Sequence, residues 1–262
     1  MILCVDIGNS NIVYGCFGDD GRLLFSSRAA TEHRRMGDQY AVELRNILDL
    51  HRVPADGIDG AILSSVVPIL TEPLSFAVCA VTGVRPHVLT VDSPHGLVIK
   101  LDNPREIGSD LLASAVGAKL KYPTPAIIID MGTATKMTVL DAAGAFLGGA
   151  IVPGLRISYD ALVTKTSLLT GVSYYAPPHV IGTNTPDCMM SGAVYATASM
   201  LDGMCGRIAE QLGAQPTVIA TGGLAYTVLP HCRTSMIADD NLILDGLRAV
   251  YLADLRNKER TK

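Results

Sequence analysis

Apolar runs of strand length alternate along this chain with amphipathic runs of helical length. Ile2-Leu3-Cys4-Val5 is continuously apolar and stops at Asp6; residues 12–17 are apolar again, and Leu23-Leu24-Phe25 follows a turn at Gly18-Asp19-Asp20-Gly21. Short apolar runs bounded by Gly, Asp and Asn read as buried strands joined by tight turns. The period then changes to 3.6 over residues 36–51, with Tyr40, Leu44, Ile47 and Leu48 on one face. The pattern further predicts strands over 61–67 and 86–91, a helix from Pro68 to about residue 81, and a helix opened by Pro104 and running to about 120. Pro123 and Pro125 mark a linker, so the expected domains are 1–122 and 123–262.

The second half repeats the first. Ala126-Ile127-Ile128-Ile129 is apolar and leads into Asp130-Met131-Gly132-Thr133-Ala134-Thr135, as the first run leads into Asp6-Ile7-Gly8-Asn9-Ser10-Asn11. Each copy continues with a second apolar run and a turn, the second turn being Asp141-Ala142-Ala143-Gly144. The turn glycine stands 15 residues after the aspartate in the first copy (6 to 21) and 14 in the second (130 to 144). Gly148-Gly149-Ala150-Ile151-Val152-Pro153-Gly154 is expected to close the second hairpin and lead to a helix near 158–164. Residues 167–186 read as irregular. A small-residue helix is predicted over about 187–212, a strand over 217–220 and a last helix over 242–255. Strands and helices alternating in two related halves specify an α/β architecture with a mixed sheet in each half.

The repeated turn suits a polyphosphate. Asp at the end of a buried strand can hold a cation directly or through water. Gly lets the backbone approach a phosphate, and the following Asn, Ser or Thr adds donors beside the backbone N–H groups. Two ordinary hairpins would share Asp-x-Gly because both residues favour turns; two copies with matching flanks favour the phosphate reading.

Composition narrows the rest. Of 262 residues 48% are hydrophobic and 18% charged, enough for a buried core. The net charge of −4 and the lack of a basic stripe exclude nucleic acid as an expected partner. No apolar stretch reaches the ~18 residues of a membrane span, so no membrane partner is expected either. Six cysteines without a C-x-x-C pair read as reduced residues of a cytoplasmic protein. No Gly-Lys pair, G-x-G, H-E-x-x-H or G-x-S-x-G occurs, so Walker, Rossmann, zincin and hydrolase-elbow chemistries are not indicated. Asp110 lies in the early turns of the helix expected after Pro104. A carboxylate there can accept a hydroxyl proton during phosphoryl transfer, or simply favour the helix dipole.

Five motifs in order carry a family resemblance: Asp6-x-Gly8-Asn9-Ser10, Asn103-Pro104-x-x-x-Gly108-x-Asp110, Asp130-x-Gly132-Thr133-Ala134-Thr135, Gly148-Gly149-x-Ile151-x-Pro153-Gly154 and Thr221-Gly222-Gly223. The chain resembles the type III pantothenate kinases of the acetate-kinase, sugar-kinase and actin superfamily, from residue 1 to about 255. The resemblance implies two duplicated ribonuclease H-like domains with helices on both faces of each sheet, and a homodimer with the site near the subunit interface. It implies ATP-dependent phosphorylation of pantothenate, the first step of coenzyme A synthesis, with Mg²⁺ and an activating K⁺ or NH₄⁺. By the same resemblance Asp6, Gly8, Asn9, Ser10 and Asn11 form the first phosphate turn, Asp6 also serving Mg²⁺. Gly132, Thr133 and Thr135 form the second, and Asp130 is the monovalent-cation ligand. Gly222 and Gly223 lie beneath the adenosine, and Asp110 is the base. Gly108, Ser109 and Asp110 contact the acceptor, as does Thr185 from the neighbouring subunit. The small-residue helix around 193–204 can pair with its own copy.

The departures concern the acceptor side. Leu111 stands where the family usually has Arg, and Leu101 where it usually has Tyr. Met137-Thr138 stands where the family has an Asp inside the hairpin. Arg156, Lys165 or Lys100 are the replacement candidates for a carboxylate contact. Lys136 follows Thr135 where the family usually has an uncharged residue; it reads as a solvated lysine, or one that touches a phosphate. Two further readings stay open: a paralogous kinase of another hydroxyl compound, and a non-catalytic ATP-binding regulator.

Overall fold

A computed structural model of the chain describes residues 1–166 and 173–260. The elements run β1 (Ile2–Ile7), β2 (Asn11–Phe17), β3 (Leu23–Ala30), α1 (Gly37–Leu50), β4 (Gly60–Ser65), α2 (Pro68–Thr82), β5 (His87–Val88) and α3 (Ser109–Lys121). They continue with β6 (Ala126–Met131), β7 (Ala134–Leu140), β8 (Phe146–Pro153), α4 (Leu155–Lys165), α5 (Thr185–Leu212), β9 (Thr217–Thr221), α6 (Ala225–Val228), β10 (Ile237–Ala238) and α7 (Leu242–Arg260).

Two five-stranded mixed sheets result, in the orders β3-β2-β1-β4-β5 and β10-β9-β6-β7-β8. Each has two antiparallel pairings on one side of its first strand and two parallel pairings on the other. The duplication extends to detail: the ladder slips between Cys16 and Phe17 in one copy and between Val139 and Leu140 in the other. Five residues link the outer strand pair in each copy (18–22 and 141–145). The glycines Gly21 and Gly144, both at positive φ, lie in these links. Four residues (8–11) separate the paired Ile7 and Ile12, but three (132–134) separate Met131 and Thr135. The one-residue difference in motif spacing therefore lies in the first turn itself.

The chain packs as two compact units, Met1–Leu97 with Asp102–Leu120 and Asn241–Lys262, and Lys121–Asp240 with Val98–Leu101. In the first unit Leu3, Val5 and Ile7 of β1 pack with Tyr40, Leu44 and Leu48 of α1 and Leu70, Leu74 and Val78 of α2. The alternate residues face α7, which buries Leu242, Leu244, Leu247 and Val250. Glycines let α7 come close: a Cβ on Gly15 would lie 2.6 Å from Leu244 Cδ1, and one on Gly60 would lie 2.2 Å from the Tyr251 hydroxyl. In the second unit Ile127, Ile129 and Met131 pack with Leu155 of α4, Ala198, Leu201 and Cys205 of α5 and Val228 of α6.

Packing departs from the expected division at residue 122 in two places. α7 completes the far face of the first sheet although it comes last in the chain, and Val98–Leu101 joins the second unit, where Phe146 N–H donates to the Val98 carbonyl at 2.8 Å. Other boundaries also differ. Pro104 opens only a 3-10 turn, Pro104–Glu106, capped by the Asn103 side chain; Ile107 is extended, and the helix proper starts at Ser109. Gly148 to Pro153 lies in β8, the strand that closes the second hairpin. Strand β5 is two residues long, shorter than predicted over 86–91. Of the stretch expected to be irregular, 167–172 lies outside the described residues, and α5 begins at Thr185, just inside it. Among the described residues no helix is long and apolar enough to cross a membrane.

Candidate active site

In the first unit, the carboxyl end of β1 carries Asp6, only 9% exposed, and runs into the turn of Gly8, Asn9, Ser10 and Asn11. Gly8 N–H donates to the Asn11 carbonyl at 3.0 Å. Thr31, just past β3, ties the turn down: its hydroxyl donates to the Gly8 carbonyl at 2.7 Å and its N–H to the Ser10 carbonyl at 3.1 Å. With the Gly8, Ser10 and Asn11 carbonyls so held, the side chains of Asn9, Ser10 and Asn11 stay exposed. Beside β1, β4 runs parallel, pairing Asp6 with Ser64 and Ile7 with Ser65.

α3 is anchored to that same edge by one hydroxyl. Ser109 Oγ donates to the Ser65 carbonyl at 3.0 Å and accepts from Ser65 N–H at 2.9 Å and Ser64 Oγ at 3.0 Å. Its hydrogen-bonding capacity is thus spent on the scaffold, where it fixes the start of α3. The next residue, Asp110, sits in the first turn of α3 and is 8% exposed. Its Oδ1 accepts from Leu111 N–H at 2.7 Å. Gly108 leaves that oxygen room: a Cβ there would lie 2.5 Å from it. Asp6, residues 8–11 and residues 108–110 are therefore brought together at one end of the first sheet.

The second unit repeats the turn. Gly132 N–H donates to the Ala134 carbonyl at 3.2 Å, and Gly154 N–H donates to the Thr133 carbonyl at 3.2 Å. Gly154 immediately follows β8, as Thr31 follows β3, so the tie is duplicated as well. A Cβ on Gly154 would lie 2.4 Å from the Thr133 carbonyl oxygen and 2.6 Å from that of Gly132. Thr133 is exposed, whereas Thr135 is 1% exposed and lies beneath the turn. Gly222, at φ 100°, packs on the end of β6, where a Cβ would lie 2.6 Å from the Met131 carbonyl oxygen; Gly223 follows it.

Asp130 faces Lys136 directly across the β6–β7 ladder. The Lys136 ammonium lies 2.8 Å from Asp130 Oδ2, with the two side chains 20% and 24% exposed. The solvated lysine expected from sequence is an ion-paired one, because a cross-strand neighbour on the same face cannot avoid its partner.

The remaining candidates lie elsewhere. Thr185 is exposed at the first position of α5, after the Asn184 cap that accepts from Asp187 N–H at 2.8 Å. It lines a cavity of about 520 Å³ with Leu162, Gly182, Asn184, Cys188 and Met189. Lys100 pairs with Asp141 at 2.6 Å and holds that carboxyl below its ordinary range. Arg156 lies 6.0 Å from the centre of the Tyr174 ring. Leu101 packs against Gly148, and Leu111 is half-buried on α3. Sequence reasoning missed Thr31, Ser64 and Ser65; none stands inside a recognisable motif, and only register brings them to the turn.

A sequence model described as type III pantothenate kinase matches residues 2–207. A type III pantothenate kinase of Exiguobacterium sibiricum is 39% identical over 251 residues, 96% of this chain and 98% of that protein. One from Acidothermus cellulolyticus is 40% identical over 257 residues, with the same coverage. Among solved structures, the activator of the 2-hydroxyisocaproyl-CoA dehydratase from Clostridium difficile, with bound ADPNP, aligns over 99% of this chain and 96% of its own. Its TM-score is 0.52 at 13% identity, a likeness of fold.

Proposed function

We infer the activity from one premise: the chain belongs to the type III pantothenate kinase family. It is an ATP-dependent kinase that phosphorylates pantothenate on the path to coenzyme A. We propose that Asp110 is its general base. The observation that carries this is the placement of the Asp110 carboxylate, buried in the first turn of a helix whose start Ser109 fastens beside the Asp6 strand. As the phosphoryl group transfers, that carboxylate accepts the proton of the attacking hydroxyl.

Each Asp-x-Gly turn supplies backbone N–H groups and short polar side chains to the nucleotide phosphates, with Gly222 and Gly223 under the adenosine. Asp6 provides one carboxylate for Mg²⁺, directly or through water. That single protein ligand fits a hard cation that takes most of its other ligands from phosphate and water. Mg²⁺ held by Asp6 would supply positive charge against the phosphates. A monovalent cation at Asp130 does not fit in the same way, since the Lys136 ammonium already lies on that carboxylate. The protein is assigned to the cytoplasm as a homodimer, with Thr185 reaching the acceptor of the neighbouring subunit; the exposed start of α5 supports that role.

Steady-state ADP release from ATP and Mg²⁺ should depend on added pantothenate. Asp110→Asn should lower kcat ~10²–10⁴-fold while nucleotide binding, read by calorimetry, is retained. Full activity in Asp110→Asn removes the base assignment; turnover that needs a different alcohol removes pantothenate as the acceptor.

A further inference from the structure

We propose that Lys136 is a built-in monovalent cation: its ammonium supplies, from the chain itself, the positive charge that Asp130 holds at the second phosphate turn. The inference rests on the reading of that turn as a nucleotide site and concerns how the site is charged.

Asp130 is the penultimate residue of the buried strand β6, two residues before Gly132, so its negative charge stands beside the backbone that receives phosphate. A carboxylate next to a polyphosphate is a like-charge contact and needs a cation between or beside the two. Here the β6–β7 register supplies one. Asp130 and Lys136 are directly opposed, which fixes their Cβ atoms within ~5.5 Å, and Nζ closes to 2.8 Å from Oδ2. The pair is mostly buried, so water and salt screen it less than an exposed pair. An alkylammonium is a compact point charge with three donors, the tethered counterpart of a free ammonium ion. It occupies the carboxylate that a diffusible K⁺ or NH₄⁺ would use. Because the tether places the charge before nucleotide arrives, no ion has to be recruited from solution. A purely architectural ion pair would hold β6 to β7 but would leave nucleotide binding indifferent to its loss.

The test measures the ATP·Mg²⁺ dissociation constant by calorimetry and ADP release, each in KCl and in N-methylglucamine chloride at equal ionic strength. The wild type should differ by less than about twofold between the two salts. Lys136→Gln, which removes the charge and keeps most of the length, should bind ATP about tenfold or more weakly in N-methylglucamine, as expected for a lost charge-assisted contact. It should recover in KCl or NH₄Cl. A wild type that needs K⁺ overturns the proposal and does so even if the variant fails to fold. A Lys136→Gln protein that binds ATP like the wild type in both salts also overturns it, as does one whose loss no cation restores. Failure of the kinase reading is distinguishable, because it appears as absent turnover in every salt while the binding comparison still decides the role of Lys136.

Discussion

At Gly154 the difference between hydrogen and methyl decides whether the second phosphate turn keeps its shape. The 2.4 Å and 2.6 Å approaches of a Cβ there are to backbone oxygens, which cannot swing aside as a side chain can. Gly154→Ala should therefore displace Gly132 and Thr133. A misfit of this kind costs ~1–3 kcal/mol, or about one to two decades of ATP affinity by calorimetry. Gly192→Ala, in open space on α5, is the matched control and should bind as the wild type does. Normal ATP affinity in Gly154→Ala would mean that the turn does not hold phosphate as argued. The glycines of both turns are legible in the sequence because Asp-x-Gly recurs. The reason for Gly154 is not, since its partners lie 21 and 22 residues back and meet it only once β8 is laid beside β7. The ion pair of Lys136 is hidden for the same cause: its partner is six residues away along the chain but directly opposite in the ladder.

Among elements, the strands and the duplication were the most legible part. Continuous apolar runs between Gly and Asp leave few alternatives to buried strands, and the two copies matched down to their shared bulge. Elements governed by Pro were read less well. Pro104 resembles a helix start, but the Asn103 cap closes a 3-10 turn and the chain must extend through Ile107 before Ser109 can reach β4. Gly148 and Gly149 lie in strand β8, and a Cβ on Gly149 would fall 1.7 Å from the Met137 carbonyl oxygen, so the close approach of β7 requires that glycine. Helix α7 gives the element-scale prediction. It buries Leu242, Leu244, Leu247 and Val250 against the first unit, each contributing ~1.5–3 kcal/mol. Their sum is comparable with the whole stability of an ordinary domain. A chain ending at Asp240 should therefore lose the protected amides of β1 and β4 in hydrogen exchange while those of β6 and β9 persist. Full protection of β1 in that truncated chain would contradict the packing argument.

For the whole molecule, the family assignment and the exposed apolar residues Val180 and Ile181, 64% and 83% exposed ahead of α5, support the proposed homodimer. Sedimentation at micromolar concentration should give twice the chain mass, and a monomer alone would discard both the dimer and the intersubunit role of Thr185. Sequence order hid the division into units, because the linker at Pro123 and Pro125 marks one crossing and the chain makes others, at Val98–Leu101 and near Asp240. That last crossing bears on how the protein is made. Ribosomes deliver the amino-terminal half first, and domains commonly fold in that order. Here the sheet synthesised first cannot be covered on its far side until α7 emerges, after the second unit. The second unit, by contrast, has all its strands by Ala238. During translation the half that is born first must wait, one apolar face bare, while the whole second unit is made, so closure of the Asp6–Asp110 unit follows synthesis of the half that comes after it.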